Sequence, residues 1–116
     1  MVLWGRVTSA PRVVTLIAVD PAGIAALQDA IRRMEGCDSV HRQTVPVELR
    51  TPDGREVVWN GDVEIFTLTN HPKKVYRAYA WSEAITGTQR RLFVVPHSAE
   101  AEAPHKAVEI IRRSLF

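Results

Sequence analysis

The spacing of apolar residues predicts a strand followed by a helix in the first part of the chain. Residues 12–19 form a nearly continuous run of β-branched and other apolar side chains, typical of a central strand buried on both faces. Asp20 and Pro21 are typical of a helix start, because Asp caps free N–H groups and Pro lacks one. Gly36 is suited to the left-handed position that ends a helix. Between them, apolar residues recur at helical spacing: Ile24, Leu27, Ile31 and Met34.

From about residue 40 the pattern changes to the alternation of two that is typical of half-buried strands. Turn-forming residues interrupt it at 51–54, 60–61, 70–72 and 86–88. Asn60-Gly61 in particular is typical of a tight two-residue hairpin. These breaks predict a meander of about five short strands ending near residue 95.

A second amphipathic helix is predicted at residues 105–115, where Val108, Ile111 and Leu115 share one face. The predicted element order is therefore β-α-β-β-β-β-β-α. We expect an α+β fold in which an antiparallel meander sheet of about five to six strands is packed on one face by one or two helices. A length of 116 residues suits a single domain, 1–116.

Composition narrows the classes of partner and cofactor. Fifteen Lys and Arg against thirteen Asp and Glu give a net charge of +2 with no long basic tract, which weighs against nucleic-acid binding. That hypothesis requires six arginines to share one surface: Arg32, Arg33, Arg90, Arg91, Arg112 and Arg113. The single cysteine, Cys37, excludes an intramolecular disulfide and a zinc-thiolate cluster. A histidine and a carboxylate brought together could bind a divalent metal, but an exposed turn histidine is the favoured interpretation, and we expect no metal or cofactor. Since the longest N-terminal apolar run is too short to cross a bilayer, we expect a cytoplasmic protein without membrane contact.

Motifs of common catalytic machinery are missing from the sequence. It contains no GxxxxGK[ST] phosphate loop, GxGxxG, HExxH, GxSxG or CxxC pattern. This absence favours a non-catalytic binding module over an enzyme. A site assembled from residues distant in the sequence stays open, because it leaves no local pattern.

Glu64, Asp62 and His71 are the candidates for acid–base chemistry. Strand alternation places Glu64 on the same face as Phe66 and Leu68, so that its carboxylate is directed at an apolar region. Paired with His71 at the following strand end, Glu64 or Asp62 could act as a general base in a pocket between the sheet and the first helix. The alternative interpretation is a solvated carboxylate at the sheet rim and an exposed turn histidine.

An aromatic face is the second candidate site. Along the predicted strand at 75–82, Arg77, Tyr79 and Trp81 point the same way, and Trp59 could join them across the sheet. These residue types are enriched in binding hot spots, although such a stripe also suits cross-strand packing. The sequence therefore favours a homodimeric binding module that contacts a small ligand or another protein through its sheet. The alternative is a small enzyme that uses Glu64 and His71.

Overall fold

The computed structural model describes residues 12–17, 23–87 and 89–115; of residues 12–17, 114 and 115 the backbone alone is described. It contains two helices, α1 (Ile24–Glu35) and α2 (Pro104–Leu115). The strands are β1 (Arg12–Ile17), β2 (Asp38–Arg50), β3 (Val57–Thr69), β4 (Arg77–Ala84) and β5 (Gln89–Pro96).

The strands form one antiparallel sheet in the order β1-β5-β4-β3-β2. An α+β fold with an antiparallel sheet and two helices is thus confirmed. The predicted order is not what the structure shows, because four strands rather than five follow α1. No helix in the described ranges is long and apolar enough to cross a membrane.

The structure has one strand fewer than predicted because Asn60-Gly61 lies inside β3 and not in a turn. Asn60 pairs with Glu48 of β2 and Gly61 with Val47, so β2 and β3 form one long ribbon. The chain reverses instead at residues 51–56, where the Thr51 N–H donates to the carbonyl of Glu56 over 2.9 Å. The Asn-Gly hairpin prediction is therefore wrong, and the prediction of a turn at 51–54 is confirmed.

The β2–β3 ribbon extends beyond the strand beside it. β3 pairs with β4 only over a short register, from Glu64 opposite Ala80 to Thr67 opposite Arg77. The remainder of the ribbon packs its inner face, including Val47 and Val63, against the apolar cluster around α2. Glu64 consequently lies where the paired part of β3 begins.

The two helices cover opposite faces of the sheet. Leu27, Ala30 and Ile31 of α1 pack with Phe66, Leu68, Ala78, Ala80, Leu92 and Val94. Ala107, Val108 and Ile111 of α2 pack with Val47, Val63, Tyr79, Trp81, Phe93 and Val95. Because successive strand residues point to opposite sides, the two sets lie on different faces. The prediction of helices on one face is wrong, since β4 buries small side chains on one side and large aromatic ones on the other.

The end of α1 and the start of α2 agree with the sequence, whereas α1 begins only at Ile24, after Gly23 in an extended conformation. Gly36 adopts the left-handed conformation, with φ of 72°, and its N–H donates to the carbonyl of Arg32 over 3.0 Å. Pro104 is the first residue of α2, a position where its missing N–H costs nothing. The predicted helix start at Asp20-Pro21 lies outside the described residues.

Candidate functional site

Glu64 is paired with His41, which the alternation of the strands does not place beside it. The Nε2 atom of His41 lies 2.7 Å from Oε1 of Glu64, and the hydroxyl of Thr44 donates to the same oxygen. Only 15% of the Glu64 side chain and 29% of the His41 side chain are exposed. We call these three residues the Glu64 cluster. The predicted pairing of Glu64 with His71 is wrong.

A β-bulge assembles the Glu64 cluster. The register of β2 against β3 shifts between His41 and Gln43, so that Arg42 is an extra residue. His41 and Thr44 are three residues apart, and strict alternation would place them on opposite faces. The extra residue brings both onto the face of Glu64, with His41 opposite Phe66 and Thr44 opposite Glu64. No feature of the sequence marks Arg42 as a bulge, which is why the pattern missed His41.

His71 belongs to a separate and more deeply buried pair. Its Nε2–H donates to Oε1 of Glu35 over 2.9 Å, and both side chains are almost fully buried, with 5% and 6% exposed. Its Nδ1 accepts the backbone N–H groups of Lys73 and Val75 at 2.9 and 3.4 Å. Since both ring nitrogens are occupied, His71 fixes the β3–β4 connection to the end of α1 and has no lone pair left for acid–base chemistry.

Asp62, the third candidate for acid–base chemistry, does not join either histidine pair. It is exposed and lies opposite Pro46 on the neighbouring strand.

The predicted aromatic face is not open. Tyr79 and Trp81 are buried, with 0% and 1% exposed, because α2 packs over them. Trp81 stacks on Phe93 with ring centroids 5.2 Å apart, and Trp59 meets Trp81 edge-on at 6.1 Å. Because Tyr79 and Trp81 are buried within the single chain, they are not available to a ligand. Their role is the cross-strand packing that the sequence offered as the alternative.

The two tryptophans share one acceptor. Nε1 of Trp59 and Nε1 of Trp81 both donate to Oε2 of Glu83, over 2.9 and 3.0 Å. This carboxylate ties the β2–β3 ribbon to β4 in the region where the two strands are no longer paired.

Arg77 and Tyr79 lie close together, at the end of the sheet where β4 begins and β5 ends. The hydroxyl of Tyr79 lies 2.8 Å from Nδ1 of His97, whose ring centroid is 5.4 Å from that of Tyr76. The guanidinium of Arg77 lies 5.6 Å from the centroid of the Tyr76 ring. Burial raises the pKa of Tyr79, and the neighbouring Arg77 opposes that shift, so the hydroxyl is protonated at neutral pH.

Cys37 offers no reactive thiolate. The side chain is buried, and desolvation followed by the nearby charge of Glu35 raises the pKa of its thiol. A raised pKa lowers the fraction of the nucleophilic form at neutral pH.

The six arginines do not form one basic surface. Arg32 and Arg33 belong to α1, where both pair with Asp29, and Arg112 and Arg113 belong to α2 on the other face of the sheet. Within the described residues, no group of three or more His, Cys, Asp or Glu side chains is placed to hold a metal ion.

Comparison with known proteins adds no relative: no protein-family model matches the chain, and neither the curated proteins nor the solved structures give a match.

Proposed function

We propose that this chain is a binding module that associates with a second copy of itself through the surface around Tyr76. The observation that carries the proposal is the exposure of Tyr76. The residue is 57% exposed, more than any other large hydrophobic residue in the described part of the chain. Tyrosine is among the residues most enriched at the centres of protein interfaces.

The Tyr76 ring is held in place before any partner arrives. His97 lies on one side of it, and the hydrogen bond from the buried Tyr79 fixes His97 in turn. The backbone on both sides is also fixed, since the carbonyl of Tyr76 accepts the N–H of Leu68 over 2.9 Å and that of Arg77 accepts the N–H of His97 over 2.9 Å. A side chain that is already ordered loses less entropy when it becomes part of an interface.

Charges of opposite sign flank Tyr76 and favour a second copy as the partner. Lys73 and Lys74 are exposed on the connection between β3 and β4, whereas Glu100 and Glu102 are exposed just after β5. Because β4 lies between β3 and β5, the basic and acidic segments lie on the two sides of Tyr76. A two-fold axis that passes through Tyr76 at right angles to the line from the lysines to the glutamates would place the lysines of each copy opposite the glutamates of the other. This is the self-complementarity that a symmetric dimer needs.

This proposal keeps self-association from the sequence analysis and moves the contact surface. Arg77 and Tyr79 stay in the proposed site, Arg77 beside Tyr76 and Tyr79 beneath His97. Trp59 and Trp81 leave it, because they pack around α2. The proposed contact surface lies where β4 begins and β5 ends, and no longer on the face of the sheet.

Sedimentation equilibrium tests the proposal. The wild-type chain is expected to dimerise, and Tyr76→Ala to weaken the dimer at least about tenfold, in the range of an interface hot spot. Val58→Ala is the matched control, since Val58 is also exposed, at 43%, but lies on the β2–β3 ribbon. A wild-type chain that stays monomeric, or a Tyr76→Ala variant that dimerises as strongly as Val58→Ala, would overturn it.

A further inference from the structure

We propose, beyond self-association, that the Glu64 cluster is an acid–base site in which His41 is the proton acceptor and Glu64 and Thr44 position it. An ionised carboxylate can only accept hydrogen bonds, so the 2.7 Å contact requires the proton of His41 to lie on Nε2. Nδ1 then carries the lone pair. In the described part of the chain no group hydrogen-bonds to Nδ1, which distinguishes His41 from His71.

The surroundings hold His41 in this orientation. Its ring packs against the buried ring of Phe66, with centroids 5.3 Å apart, and Thr44 fixes the Glu64 oxygen that receives the imidazole N–H. A carboxylate that orients an imidazole and stabilises its protonated form is the arrangement by which histidine serves as a general base in hydrolytic sites. With 29% of its side chain exposed, the His41 imidazole is in contact with solvent.

The charge of the cluster disfavours an anionic substrate, and we take an uncharged ester as the substrate class that a histidine base can hydrolyse. Glu64 carries a negative charge, and Asp62 lies two residues along the same strand face. These carboxylates repel an anion. The proposed step takes a proton from water to Nδ1 while the water oxygen bonds to the carbonyl carbon of an ester and the π electrons of the C=O bond move to its oxygen. The C=O bond then re-forms. The alkoxide or phenoxide then leaves with the bonding electrons, and the imidazolium returns its proton to that leaving group or to solvent.

A β-bulge at this position supports a functional role for the cluster. Bulges recur beside active sites, where they change the direction of a side chain, and this one is the reason that His41 and Thr44 reach the same carboxylate.

Two measurements on the full chain test the site, with 4-nitrophenyl acetate as the neutral ester. His41→Gln is expected to lower the second-order rate constant for release of 4-nitrophenolate at least about tenfold. His105→Gln, which removes an exposed histidine on α2, is expected to leave it unchanged. Equal rates for wild type and His41→Gln, or an equal loss in His105→Gln, would overturn the proposal.

The second measurement does not depend on turnover. Long-range ¹H–¹⁵N spectra of the wild-type imidazole, recorded in its neutral form, are expected to show a protonated Nε2 and an unprotonated Nδ1. In Glu64→Ala, with the remaining amide spectrum folded, the Nε2–H is expected to lose its acceptor and to exchange faster with water. Protonated Nδ1 in the wild type, or an Nε2–H that exchanges equally slowly in Glu64→Ala, would show that Glu64 does not position His41.

Discussion

Gly61 lies directly beneath the indole of Trp59: a Cβ added at Gly61 would be only 2.9 Å from Cη2 of that ring. The indole is held above the glycine because its N–H donates to Glu83 and its edge contacts Trp81. Asn60-Gly61, the pair typical of a hairpin turn, therefore lies inside β3, where close packing against Trp59 leaves room only for a glycine.

This contact predicts that Gly61→Ala destabilises the protein by about 1–2 kcal/mol, the cost of forcing a methyl group into a filled space. Urea unfolding followed by circular dichroism measures the change. Gly87→Ala is the control, since a Cβ there meets nothing within 4 Å. If both variants have the same free energy of unfolding, the close contact between Gly61 and Trp59 does not constrain the fold.

The buried pair of His71 and Glu35 predicts a larger effect. His71→Ala removes the acceptor of two backbone N–H groups and leaves a buried carboxylate without the imidazole donor, so a loss of about 3 kcal/mol is expected. His105→Ala, on an exposed position of α2, is expected to change stability by less than about 0.5 kcal/mol. Thermal or urea unfolding of both variants compares the two sites. Similar losses at His71 and His105 would contradict the structural role of the pair.

Two buried groups predict weaker stability in alkali. Burial raises the pKa of Cys37 from its ordinary value of 9.0 and that of Tyr79 from 10.0. Above those ordinary values the unfolded chain loses these protons first, so the stability that the protonated groups provide is present below pH 9 and declines as the pH rises through the folded-state pKa values.

The measurement is the free energy of unfolding between about pH 8 and pH 11, where each proton contributes a slope of at most about 1.4 kcal/mol per pH unit. Cys37→Ala and Tyr79→Phe should each show a shallower decline than the wild-type chain. Val58→Ala, which removes no titrating group, should keep the wild-type slope. Parallel curves for all four proteins would rule out a contribution from Cys37 and Tyr79.

The sequence predicted correctly those features that depend on residues close together in the chain. The end of α1 follows from Gly36, and the apolar spacing of α2 follows from one helical face. The Thr51–Gly54 turn likewise depends on residues within the turn. In each case the energy that fixes the structure comes from residues within a few positions of one another.

The remaining errors came from contacts between distant segments. Alternation in β4 showed that Ala78 and Tyr79 face opposite ways, but it could not show that each face has its own helix. The apolar neighbours of Glu64 predict a carboxylate directed at an apolar region, and only 15% of its side chain is exposed. Its partner was missed because the bulge at Arg42 depends on pairing between β2 and β3, and no residue type specifies it.

The most direct test of self-association reverses the charges on either side of Tyr76. One variant, Lys73→Glu with Lys74→Glu, makes both flanks acidic; the other, Glu100→Lys with Glu102→Lys, makes both flanks basic. In a two-fold dimer each variant alone opposes like charges and should be monomeric, whereas an equimolar mixture should form a heterodimer. Sedimentation equilibrium of the two variants and of their mixture measures this. Recovery of the dimer only on mixing is the predicted result, and a mixture that stays monomeric while the wild type dimerises would contradict the surface around Tyr76 as the interface.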